Sequence, residues 1–175
     1  SARKDVEYTF RHFRELAEYL MDISLITIGR MSNCPEASLV HKYSERFCRL
    51  SPLIGIRPLK IVEIDEKKFG TPETQAIKIR EKIRDKAKVY LFDEGGQVLS
   101  SGDFSELLVK QRDTGVRQQT FVIGGAFGFC QSLKKDVDGM ISLGRMVWPH
   151  FLARVLVLEQ VYRAASLMTG SPYHK

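Results

Sequence analysis

The strongest constraint on folding here is an alternation: short apolar runs of strand length take turns with longer runs of helical spacing. "MDISLITIGRM", beginning at Met21, reads as a first buried strand, and "PLKIVEID", "KVYLFDEGG" and "RQQTFVIGG" as the second, third and fourth. "MISLGRMVWPH" reads as a short strand and a loop. Between them, "CPEASLVHKYSERFCRL" places Pro35 at a first helical position and Leu39, Tyr43, Phe47 and Leu50 on one stripe. "TPETQAIKIREKIRDKA" starts a helix with Thr71 as cap and Pro72 just inside. Thr74 stands where a full capping box wants Glu or Gln, so that start signal reads as incomplete. "SGDFSELLVKQRDTG" is a helix stopped by Gly115, "QSLKKDVDG" a short one, and "FLARVLVLEQVYRAASLMTG" a last helix apolar around most of its surface. Such alternation predicts an α/β fold, a mostly parallel sheet with helices on both faces. No linker or repeat divides residues 21–175, which read as one domain. In "RKDVEYTFRHFRELAEYL", Phe10, Phe13, Leu16 and Leu20 have helical spacing. Residues 1–20 read as an appended helix of uncertain origin, since Met21 would serve equally well as a start.

Several classes are disfavoured by content. Three cysteines, Cys34, Cys48 and Cys130, are odd in number and widely spaced, which argues against a disulfide framework or a zinc site. The four histidines (His12, His41, His150, His174) lack metal-ligand spacing, so no metal is expected. No apolar run has the length of a membrane span, and charges throughout the first twenty residues do not suit a signal peptide. A cytoplasmic protein is expected. The net charge of +6 fits an anionic partner, nucleic acid being the commonest, or simply a basic surface.

Ligands of open parallel sheets bind at the carboxyl ends of strands. "VIGGAFG" and "LFDEGG" both fall at such ends. A phosphate loop would need GxxxxGK[ST], which is absent, and the dinucleotide fingerprint belongs after a first strand, not a fourth. A doublet of glycines also serves a plain tight turn. "SLGRMVWPH" is less ordinary. Gly144 permits a backbone that side chains block, Pro149 removes a donor, and Met146 and Trp148 are apolar within a loop. Such a segment can wrap an aromatic ligand such as adenine with main-chain amides and carbonyls.

Together, "FVIGGAFG", "SLGRMVWPHFLARVLVLEQVYRA" and the terminal "SPYHK" resemble the RlmH family, the ribosomal large-subunit RNA pseudouridine N3-methyltransferases of the SPOUT class. The likeness runs from Met21 to Lys175, with "MDISLITIG" matching the family's first strand. It implies a C-terminal trefoil knot, a feature periodicity does not reveal. It also implies a homodimer, S-adenosyl-L-methionine as cofactor, and a ribosomal RNA substrate in the assembled ribosome. By resemblance the cofactor contacts fall on Phe92, Gly124 and the loop Leu143, Gly144, Arg145, Met146, Val147 and Trp148. Gly125 and Gly128 would then shape the turn.

The implied reaction places a methyl group on an imide nitrogen that must lose its proton. Positioning, one proton transfer and charge stabilisation are required. His150 and His174 are the candidate proton acceptors, and Arg154, one turn beyond His150, can bind a phosphate or a base carbonyl. Tyr173, next to His174 and Lys175, can stack on a base. Each also has a plain structural use: His150 as a helix start, Arg154 as a buried partner of Glu159, "YHK" as a frayed end. "KKFGTPETQAIKIREKIRDKAK" is the densest basic region, with Lys82, Arg84 and Lys86 as phosphate contacts or as a solvated helix face. The competing functions are another knotted methyltransferase acting on transfer RNA or a ribose oxygen, a non-catalytic ribosome-binding factor that retains the pocket, and an ordinary nucleotide-binding sheet protein with no knot.

Overall fold

The computed structural model describes residues 20–174, with His174 described in its backbone alone. Most of the helix expected over 1–20, and Lys175, lie outside the described residues. Five strands form one sheet in the order β2-β1-β4-β3-β5, and every pairing is parallel. They are β1 (Asp22–Ile28), β2 (Lys60–Ile64), β3 (Lys88–Val98), β4 (Gln118–Ile123) and β5 (Gly139–Ser142). The helices are α1 (Pro35–Leu50), α2 (Pro72–Lys82), α3 (Ser101–Asp113), α4 (Gln131–Lys135) and α5 (His150–Met168).

The period of two in "DISLITI" explains the two-sided core. Ile23 and Leu25 pack toward Phe47, Phe104, Val157, Leu158 and Val161 on the α1/α3/α5 face, while Ile26 and Ile28 pack with Ala76, Ile79 and Leu133 on the α2/α4 face. α5 is apolar around most of its girth because it lies between α1, α3 and the sheet, with Val157, Val161 and Ala165 fully buried.

Two local expectations are corrected. The α2 start is a complete capping box: the Thr74 amide donates to Thr71 Oγ1 (3.2 Å) and the Thr71 amide to Thr74 Oγ1 (3.3 Å). A threonine hydroxyl accepts as a glutamate carboxylate would, so the Glu/Gln rule is too narrow. And β3 does not end at its glycines. Phe92 and Gln97 both pair with Ile141, so Asp93–Gly96 bulge out between two paired stretches. Gly96 sits where a Cβ would be 2.6 Å from the Ile141 nitrogen and 2.6 Å from the Met140 carbonyl carbon. Backbone atoms cannot step aside as a flexible side chain can. Gly96→Ala is therefore expected to cost about 2–4 kcal/mol by forcing β5 off the sheet edge. Gly95→Ala, which would meet only the Asp93 carboxylate at 3.2 Å, is expected to cost well under half of that. Chemical denaturation of the two variants checks the ranking, and equal midpoints would contradict it.

Candidate functional site

The carboxyl ends of β3, β4 and β5 open into a cleft of about 730 Å³. That size suits a ligand as large as a nucleoside derivative. Its wall combines Phe92 at the last regular position of β3, Gly124 just after β4, and Leu143, Gly144, Met146, Val147 and Trp148 from the loop after β5. Seven of the eight residues expected to hold the cofactor are thus gathered in one place. Arg145, the eighth, is exposed and is not among the lining residues.

The loop has the character of a recognition surface. Met146 is 71% exposed and Val147 80%, although both are apolar. Within the described residues, no main-chain amide or carbonyl from 145 to 148 is hydrogen-bonded. The loop is held instead at its base, where the Ser142 hydroxyl donates to the Gly144 carbonyl (2.8 Å) and accepts from the Gly144 amide (3.2 Å). Gly144 takes φ +113°, a conformation closed to residues with a side chain at little cost. Unpaired peptide groups beside exposed apolar side chains suit a flat heterocycle with polar edges, and adenine is one.

The glycines of "VIGGAFG" have protein neighbours as well. A Cβ on Gly124 would press at 3.2 Å against the Phe129 ring, and one on Gly125 would come within 3.0 Å of Ile28. The Gly128 amide closes the turn onto the Gly125 carbonyl (3.1 Å), with Gly128 at φ +68°. Gly125 and Gly128 shape the turn as expected. Gly124 additionally leaves room for a ring that backs the cleft.

His150 lines the cleft at the first residue of α5. The N-cap is Pro149, and the His150 imidazole makes no hydrogen bond among the described residues. It stands edge-on to Phe151, 4.4 Å between centroids, and against Gly29, where an added Cβ would lie 3.3 Å from Nε2. Arg154 follows one turn later but does not line the cleft. Its side chain is 1% exposed, pairs with Glu63 at the end of β2, and donates from Nη2 to the Gly29 carbonyl (2.9 Å). Arg154 is a buried structural arginine, but its partner is Glu63 rather than Glu159. Glu159 faces the other way around α5 and accepts from Arg163 (2.7 Å) and from the Tyr173 hydroxyl (3.1 Å).

Tyr173 is therefore docked, not frayed. Its ring packs on Tyr162 (4.6 Å between centroids) and under Arg163 (4.9 Å). Burial raises its hydroxyl pKa, and Tyr43 and Glu159 push it further the same way. The phenol stays protonated and serves as a donor. From His150 to Glu159 is nine residues of helix, roughly 14 Å, so within one chain the tyrosine does not join the cleft. The side chain of His174 and Lys175 lie outside the described residues.

Other residues at the site carry weaker sequence signals. Asp93 and Glu94 line the cleft, and Asp93 is held by Lys134 at 2.7 Å. Their signal is present in "LFDEGG", two acids at a strand end, where the glycines are the more conspicuous feature. Glu63 and Gly29 carry no local signature, because their use depends on a helix more than eighty residues away. Among the described residues no group of His, Cys, Asp and Glu is arranged to hold a metal, and no helix is long and apolar enough to cross a membrane.

A family model described as "Predicted SPOUT methyltransferase" matches residues 21–174. The protein named "Ribosomal RNA large subunit methyltransferase H" in Roseobacter denitrificans is 42% identical over 155 residues, 89% of this chain and 99% of its own. The proteins of that name in Ruegeria pomeroyi and Cereibacter sphaeroides are each 41% identical over the same shares. A parallel α/β sheet, a cleft at its strand ends and a match across nearly all of its described length place the chain in the SPOUT methyltransferase family.

Proposed function

We propose that this chain methylates large-subunit ribosomal RNA, taking the methyl group from S-adenosyl-L-methionine and delivering it to N3 of a pseudouridine in the assembled ribosome, in the cytoplasm. The observation that carries the reading is the cleft wall from Leu143 to Trp148, with its unpaired peptide groups and exposed apolar side chains. Relatives named for ribosomal RNA methylation, with which the chain aligns over 99% of their length, support the substrate.

The residues present fit the cofactor. The main chain of 145–148 would engage the adenine edges, with Phe92, Gly124 and Trp148 as apolar walls. When bound, S-adenosyl-L-methionine supplies an electrophilic methyl group. The rest is the protein's work. The cleft holds the acceptor ring in line and keeps water out. His150, at the cleft, takes the imide proton. Arg154 acts through position, fixing the start of α5 and hence His150 against Gly29. The trefoil threading of the C-terminal segment belongs to the same reading.

The same reading includes a homodimer in which the "YHK" end of one chain serves the cleft of its partner, and the docking of Tyr173 on the Glu159 side of α5 supports it. The exposed Met146, Val147 and Leu152 beside the cleft are the apolar surface such a partner would cover.

The test is methyl transfer from labelled S-adenosyl-L-methionine to assembled ribosomes, isolated large subunits and free transfer RNA, all from cells lacking this protein. Label at one pseudouridine of large-subunit RNA is the expected result. Label on transfer RNA would move the chain to another SPOUT activity. Cofactor binding with no label on any particle would leave a non-catalytic ribosome-binding factor.

A further inference from the structure

At the opposite end of the sheet from the cleft, Asp22 opens β1 with its side chain only 8% exposed. Three donors converge on that carboxylate: Arg57 Nη1 (3.3 Å), Arg84 Nη1 (3.0 Å) and Gln118 Nε2 (2.9 Å). Lys60 adds its charge from the start of β2, and the Asp22 amide donates to the Arg117 carbonyl (2.8 Å). Burial pushes the Asp22 carboxyl up, but Gln118, Arg57 and Lys60 outweigh it and hold the pKa below the ordinary value. Asp22 is therefore an anion throughout the neutral range. Its one negative charge is shared among Arg57, Arg84 and Lys60.

The cations are presented outward. The Arg84 side chain is 55% exposed, and the exposed Lys60 side chain makes no hydrogen bond among the described residues. Asp22 and Gln118 hold Arg84 through Nη1 alone, which fixes the direction of its guanidinium. Less side-chain entropy is then lost when an anion arrives. Lys86 and Arg117 are exposed nearby on the turns leading into β3 and β4, and Asp85 is the exposed acid among them. Lys82 sits at the end of α2, but Lys78 and Arg80 of that helix pair with Glu81 and Asp136. The candidate cations thus lie at the base of the sheet and not along the helix.

We infer that Lys60 and Arg84, the latter oriented by Asp22, form a phosphate-binding cluster for the RNA backbone, separate from the cleft. The inference rests on the proposed ribosomal RNA substrate. β1 has seven residues and so spans roughly 20 Å. The cluster is too far away to touch the reacting nucleotide and engages a different stretch of RNA. It supplies affinity and register rather than base selection.

The test uses the full chain as Lys60→Gln, Arg84→Gln and the double variant, with large ribosomal subunits from cells lacking this protein as the probe. Binding is titrated at several salt concentrations beside methyl transfer and cofactor binding. Each neutralised charge is expected to lower the slope of log affinity against log salt by roughly one unit. KM for the subunits should rise about three- to tenfold per charge, with kcat and cofactor affinity unchanged. Lys60→Gln breaks no side-chain hydrogen bond or ion pair within the described residues, and its denaturation midpoint is measured beside binding. Unchanged slope and KM in a wild type that does methylate would overturn the cluster and leave the reaction standing. A weakened, flatter salt response in a protein that methylates nothing would uphold the cluster and remove the reaction.

Discussion

Arg154→Ala is expected to lower the unfolding free energy by about 3 kcal/mol and to cut methyl transfer more than tenfold. The side chain is 1% exposed and is the largest fully buried one in the described core. Removing one partner of a buried ion pair costs about 3–5 kcal/mol, because the partner is left desolvated and alone. Glu63 is 32% exposed and recovers part of that from water, which places the expectation at the lower end. The Gly29 carbonyl loses its donor as well. Arg154→Met separates volume from charge. It refills the space yet leaves Glu63 with only the Met31 amide (3.0 Å) and the Gly29 carbonyl without its donor, so it should regain at most about 1 kcal/mol. Denaturant midpoints measure the first effect and single-turnover transfer the second. A midpoint within error of the wild type would show that the pair contributes nothing net. Normal transfer by a destabilised variant would remove Arg154 from any part in placing His150.

Ending the chain at Pro172 is expected to lower kcat/KM for ribosomes by at least about a hundredfold, roughly 2.7 kcal/mol of transition-state stabilisation, while cofactor affinity stays near wild type. The basis is geometric. Tyr173 is anchored by Glu159, Tyr162 and Arg163, well away from the cleft of its own chain. Tyr173→Phe is the control. It keeps the ring and loses one hydrogen bond, which should cost about 1 kcal/mol of stability and little transfer if the phenol only anchors. Mixing truncated chains with His150→Ala chains gives a further readout. Restored transfer in the mixed dimer would establish that tail and cleft come from different subunits. Full activity of the truncated protein would remove the tail from the reaction altogether.

Much of the fold is legible in the sequence because strand and helix periods differ so clearly. "DISLITI" and "QQTFVI" are apolar on both faces, as strands covered on both sides must be. Pro35, Pro72 and Gly115 mark helix ends through backbone chemistry that neighbours do not alter. The cleft is legible for a related reason: Gly144 and the apolar loop after it break local rules, and such breaks gather at functional sites. The partners of charged side chains are not legible. Arg154 has Glu159 within reach along its own helix, yet it pairs with a residue ninety-one positions earlier. Arg84 sits in a charge run that reads as a solvated helix face, yet it reaches Asp22 across sixty-two positions.

What the sequence determined by itself was the set of elements, the parallel sheet they imply and the loop whose residues line the cleft. These follow from periodicity and from glycine and proline conformations, which act over a few residues. Only the tertiary structure decided that Arg154 is an anchor and not a cleft residue, that Tyr173 is tied to α5, and that Asp22 gathers the arginines at the foot of the sheet. Charge pairing is a contest among many carboxylates and guanidiniums of similar strength. Distance and burial settle it, and neither is encoded in any local stretch of chain.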